Sequence, residues 1–260
     1  MYNQYFAGTV DITEIVLYVF FGLFVALILY LLREGRREGF PLEHDVTGEL
    51  EPTPGIFFRA LPKSYHLSDG TKLTKPDFVR DSHVKSYKRT APWSGSPLAP
   101  VGDPLKAGVG PGSYAIRADK PDMTFHGTPR LAPLRIATDY SIDKKDPDLR
   151  GFSLVGLDGV SAGVISDIWV DRSEYLVRYL EVEIASRART AKHVLVPMTM
   201  CVVQKNLNRV RLDAVLGSQV AGAPTLANPD QITLLEEEKI VGYFGAGYLY
   251  ATPARSEPAL

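Results

Sequence analysis

The chain has 260 residues, 45% hydrophobic and 23% charged, with a formal net charge of −1 at pH 7. A balance so close to zero, with no dense basic stripe, lacks the electrostatic footprint of a nucleic-acid binder and leaves protein and lipid as partners. The one cysteine, Cys201, excludes a disulfide within the chain and suits a reducing compartment.

The first element is an uncharged apolar run from Ile15 to Leu32, roughly 27 Å long as a helix at about 1.5 Å per residue, close to the hydrocarbon thickness of a bilayer. Its N-terminal flank has no lysine or arginine and carries Asp11 and Glu14, unlike the basic flank of a cleaved secretory signal. An uncleaved anchor is therefore expected over residues 12–36, with 1–11 on the far side. Arg33, Arg36 and Arg37 crowd the other end, which by the positive-inside bias places the body in the cytoplasm. Tyr18 and Tyr30 lie toward the two ends, as interfacial aromatics do, and Gly22 with Ala26 forms a small-xxx-small pair open to another helix. No histidine falls within the span, so it offers no strong axial ligand to a haem or chlorophyll.

Residues 37–150 hold most of the prolines, in stretches such as EPTPGIFF and APWSGSPLAPVGDP, which argues against long regular elements. Phe57, Phe58, Tyr65, Phe78, Tyr87, Trp93, Tyr114 and Phe125 are too many aromatics for a disordered linker. An ordered, extended segment lying on another surface is expected.

From Gly151 the pattern turns to strands. In LVRYLEVEI, Leu176, Leu180, Val182 and Ile184 fall on one face and Tyr179, Glu181 and Glu183 on the other. AGVISDIWV, HVLVPMTMCVV, with Cys201 as a small buried hydrophobe, and NRVRLDAVL read as further strands. DRSE and QKNLN read as turns. The expectation is a small antiparallel barrel over 151–260, followed by one short helix in NPDQITLLEEEKIVGYF, capped by Asn228 or Asp230.

Enzymatic signals are weak. GVGPGS at 108–113 lacks the following GK[ST] and reads as a loop; His44, His66, His83, His126 and His193 show no zinc-site spacing; no GxSxG frames a serine.

Several stretches together, REGRREGFPLE, GDPLKAGVGPGSY, PLRIATDYSI, DIWVDRSEYLVRYLEVE and DQITLLEEEKIVGYFGAGYLYATP, resemble the H subunit of the purple-bacterial photosynthetic reaction centre, in order along nearly the whole chain. The resemblance implies a single transmembrane α-helix with a periplasmic N-terminus, an extended Pro-rich segment, and a mainly β cytoplasmic domain of the PRC-barrel type. It implies the L and M subunits as partners, which hold bacteriochlorophyll, bacteriopheophytin, quinones and non-haem iron, while this chain binds no cofactor itself. Membrane lipids, a light-harvesting ring and a bound cytochrome are further partners it suggests, in a bacterial inner, intracytoplasmic membrane. It also implies a proton route to the secondary quinone: Glu174 matches an acid after the DIWVD strand, Arg178 a basic neighbour and His126 one histidine of an upstream cluster, with Asp171 and Asp122 as further proton-transfer candidates. The remaining members of that cluster are replaced by Thr124 and Thr128, with Asp122 close by. The competing expectation is a membrane-tethered PRC-barrel adaptor for another cytoplasmic partner, which would lack the specific middle stretches.

Overall fold

A computed structural model describes residues 6–7, 10–52, 55–56, 58–67, 70–77, 86–184 and 191–256. Phe57, Phe78 and His83 lie outside the described residues. Contacts divide the chain into two compact units. The first runs to residue 83 and takes in 92–95; the second holds 84–91 and everything from 96 onward.

In the first unit, helix α1 spans Ile12–Gly35. It starts where the Asp11 carboxylate accepts a hydrogen bond from the Thr13 N–H at 2.9 Å, with Glu14 in the first turn complementing the helix dipole. None of its 24 residues is buried. A helix apolar along so much of its surface fits a membrane span or a cover of other protein, and it satisfies its backbone groups internally in either setting. It closes one residue earlier than expected, with Arg36 as its cap. Arg37 does more than mark topology. It is 7% exposed, pairs with Glu34 at 2.9 Å and donates to the carbonyls of Leu61 and Lys75, the latter at 2.9 Å. That second carbonyl belongs to an antiparallel pair, β1 (Lys63–His66) with β2 (Lys72–Lys75).

The second unit opens with a short pair, β3 (Tyr87–Arg89) and β4 (Leu98–Pro100). Its main sheet comprises β5 (Leu131–Pro133), β6 (Ser153–Val155), β7 (Ser161–Asp171), β8 (Leu176–Ile184), β9 (Lys192–Pro197), β10 (Cys201–Gln204) and β11 (Arg209–Leu212). The order is β9-β8-β7-β6-β11-β10, with β5 beside β7, and every pairing is antiparallel except that of β6 with β11. The run expected as one strand around Cys201 is broken at Pro197 by a 3-10 turn over Met198–Met200. Cys201 is part-buried at the start of β10, its Sγ 3.4 Å from the Pro197 carbonyl, and burial pushes its thiol up to about 12.

The period-two reading of β8 holds only in part. Val177 pairs with Val170 and Tyr179 with Trp169, so Arg178 is an extra, unmatched residue. Such a bulge inverts the side-chain alternation. Leu180 and Val182 are fully buried, whereas Leu176, expected on the same face, is 41% exposed. Tyr179 and Glu181, on the other face, are buried as well.

Part of the Pro-rich segment builds this core. Leu105, Leu131, Leu134, Ala137 and Leu149 join Leu154, Ile165, Ile168 and Trp169 in one apolar cluster. Four-residue α2 (Gly217–Val220) and the C-terminal helix α3 (Leu234–Tyr250) complete it. The expected cap at Asn228 or Asp230 is displaced. Asn228 pairs with Gln231 in a tight turn, and Thr233 caps α3 in a reciprocal box with Glu236. The helix continues through GAGYLY because its glycines let other backbone approach: a Cβ on Gly247 would lie 2.3 Å from the Ala214 oxygen, and one on Gly245 would lie 2.7 Å from that of Pro111.

Candidate functional site

The sequence DRSEY turns because its aspartate makes it turn. The Asp171 carboxylate accepts from the Ser173 N–H at 2.9 Å and the Glu174 N–H at 3.0 Å, and Tyr175 takes a left-handed φ of 58° to close onto β8. Glu174 is thereby held at the rim, its side chain 49% exposed.

A second loop meets this turn. Residues 122–130 fold back on themselves, with the Thr124 N–H on the Thr128 carbonyl at 2.8 Å and the Arg130 N–H on that of Asp122 at 2.8 Å. Arg172 bonds the Arg130 carbonyl at 2.9 Å through its N–H and the Pro129 carbonyl at 3.2 Å through its guanidinium. Arg130 then gathers three acids: Asp171 at 2.9 Å, Glu174 at 2.5 Å and Asp122 at 3.4 Å. Arg178, freed by the bulge, reaches Asp171 at 3.7 Å. Arg178 was expected beside Glu174; the structure gives Glu174 the Arg130 guanidinium instead, because the chain reverses between them. Asp171 is fully buried. Burial alone would raise its pKa, but Arg130 and the two backbone donors outweigh that and hold the carboxyl below its ordinary value.

His126 sits on the exposed loop, its ring edge-on to Phe125 at 5.6 Å, and the Thr124 and Thr128 hydroxyls bond each other at 2.9 Å. Phe125 is 100% exposed and Tyr175 78%. Carboxylates and guanidiniums thus share one end of the barrel with uncovered aromatics.

Behind this rim a cleft of about 230 Å³ holds Arg117, Arg178, Tyr179, Glu237 and Glu238. The Tyr179 hydroxyl donates to Glu237 at 3.3 Å, and desolvation raises the Glu237 pKa above its ordinary value in spite of Arg178. A separate network centres on Arg135, which bonds Glu181 at 2.6 Å, Asp167 at 3.1 Å and Asp230 at 2.9 Å. Glu181 also accepts from the Trp169 indole at 2.9 Å and lies 3.1 Å from His193.

Arg130, Arg135 and Glu237 did not stand out in the sequence. Both arginines lie in PRLAPLR, where alternation along β5 could have placed Arg130 at a strand end, but no local pattern reveals acids that arrive from β7, β8 and the C-terminal turn.

The architecture is that of a membrane-anchored barrel subunit with a charged, aromatic-rimmed face. Residues 4–136, just over half of the chain, match the family of the photosynthetic reaction centre H-chain N-terminal region, and residues 143–218 match the PRC-barrel domain. The chain belongs to the reaction-centre H-chain family, as an H subunit whose apolar helix fits a single-pass anchor and which associates with the other reaction-centre subunits.

Proposed function

We propose that this chain caps the L and M subunits on the cytoplasmic side, stabilises the secondary quinone site and conducts protons to it, without catalysing a reaction or holding a pigment of its own. Its N-terminus lies in the periplasm and its body in the cytoplasm of a bacterial inner, intracytoplasmic membrane. The arginines at the cytoplasmic end of α1 support that orientation.

One observation carries the proton role. Asp122, Asp171 and Glu174 converge on Arg130 beside the uncovered Phe125 and Tyr175. A quinone that gains two electrons in a low-dielectric site must take up two protons, and a cap over that site forces them through titratable side chains. Asp171 is locked as a charged anchor by four donated hydrogen bonds from Arg130 and the turn. Glu174, the most exposed of the three acids, can swing between Arg130 and a proton acceptor across the interface. His126 has lost its companions and contributes less.

Glu174→Gln keeps the shape and removes the titrating group. In intact complexes, flash-induced absorbance followed with a pH dye should show the second, proton-coupled electron transfer slowed about a hundredfold, the lower end of what a positioned proton-transfer group contributes. The first transfer should be near normal and His126→Ala milder. Unchanged second-transfer kinetics across pH 6 to 9 would refute the role of Glu174.

A further inference from the structure

The first unit carries a half-open cleft of about 440 Å³ immediately beyond the anchor helix, lined by Phe40, Leu50, Pro52 and Phe58 with two guanidiniums, Arg36 and Arg59. Its surroundings are apolar and uncovered: Ile56 is 84% exposed, Leu42 54% and Leu61 65%. Soluble surfaces do not ordinarily gather this much exposed apolar area unless something covers it.

The helix fixes the depth of the cleft in a bilayer. The uncharged run ends at Leu32, and Arg36 lies three residues past Arg33, about 4.5 Å of helical rise. A headgroup layer is roughly 5–7 Å thick on each side of the hydrocarbon. Arg36 and the cleft mouth therefore stand at the level of lipid phosphates, with apolar lining within reach of acyl chains.

The charges select the lipid. Arg37 is consumed by Glu34 and two backbone carbonyls, and Arg33 lies over the Tyr30 ring at 5.6 Å. Arg36 stacks on Phe40 at 4.9 Å, with Glu51 at 3.3 Å along one edge, which fixes its guanidinium plane at the wall. Arg59 is exposed and, among the described residues, has no hydrogen bond or ion pair. A fixed guanidinium and a free one line one apolar cleft whose single lining carboxylate, Glu51, pairs with Arg36, which leaves an unmet positive charge that a phosphate would satisfy.

We propose that this cleft binds one anionic phospholipid, its phosphate held by Arg36 and Arg59 and its glycerol and upper acyl chains against Phe40, Leu50 and Phe58. The proposal rests on the reading of α1 as a membrane anchor.

The test uses the full-length chain in mild detergent, titrated with phosphatidylglycerol, phosphatidylcholine or inorganic phosphate and read by native mass spectrometry. Phosphatidylglycerol should form a dominant one-to-one adduct that survives collisional activation, phosphatidylcholine a weaker one, and inorganic phosphate none that competes. Arg59→Ala, which breaks no hydrogen bond or ion pair among the described residues, should weaken the phosphatidylglycerol adduct about fivefold, the scale of one basic residue at a membrane surface, and Arg36→Ala with Arg59→Ala should weaken it further. Equal retention by parent and double variant, meaning unspecific annular lipid, would overturn the site. So would a cleft that stays closed to phosphatidylglycerol because a second copy or another subunit fills it. Flotation separates the two readings. A chain that floats with pure phosphatidylcholine vesicles yet shows no preference loses only the lipid site, and one that floats with no vesicle loses the anchor and the site together.

Discussion

Asp171 and Glu237 are carboxyls that the fold pushes in opposite directions. The folded pKa of Asp171 lies below its unfolded value of about 3.9, so its contribution to stability is present above that pH and is lost as the pH falls through the folded value. Asp171→Asn keeps the Oδ1 that the two turn N–H groups bond, but it removes the charge and sets an amide NH2 donor against the Arg130 guanidinium where Oδ2 had accepted. It should cost about 3 kcal/mol at pH 7 and flatten the acid limb below about pH 4, read from the fluorescence of the fully buried Trp169 during denaturation. For Glu237 the sign reverses: its folded pKa is raised, so its contribution to stability is present below about pH 4.3 and is lost as the pH rises through the folded value. Glu237→Gln removes the cost of ionising in the cleft, so the variant should be at least as stable as the parent at pH 8 and the two should converge near pH 4. A variant markedly weaker at pH 8 would mean that the charged form, paired with Arg178, is what the fold needs.

Helix α3 shows how far local sequence signals reach. Two effects compete at Gly247: alanine gains up to about 1 kcal/mol over glycine in a helix, but its Cβ would stand 2.3 Å from the Ala214 oxygen and 2.5 Å from Val215 Cγ1. Overpacking of that kind costs about 1–3 kcal/mol and should prevail, so Gly247→Ala should lower the denaturation midpoint. Gly245 and Gly247 are seats for backbone that arrives from residues 111 and 214. The true cap was legible, since TLLE is the capping-box signature, and it was masked by the better-known cap residues upstream. The strands around Trp169 and Leu180 were legible through β-branched content and alternation. The bulge at Arg178 was not, because one added residue leaves no local mark and is set by partners on both sides of β8. The acids on Arg130 and Arg135 were hidden for the same reason.

For the molecule as a whole, the anchor and body predict a sidedness. Protease added to sealed, right-side-out spheroplasts should spare a C-terminal epitope, and digestion from outside would reverse the orientation drawn from the arginines. The Arg135 network adds a sequence of events in time. Its partners lie 32, 46 and 95 positions along the chain, and contacts so distant form late because each closes a long loop. On a ribosome that adds about 5–20 residues per second, α1 emerges well before Asp230 and α3 do. The barrel can therefore close only after its own tether has emerged, and each newly made subunit finishes folding at the membrane surface where it will work.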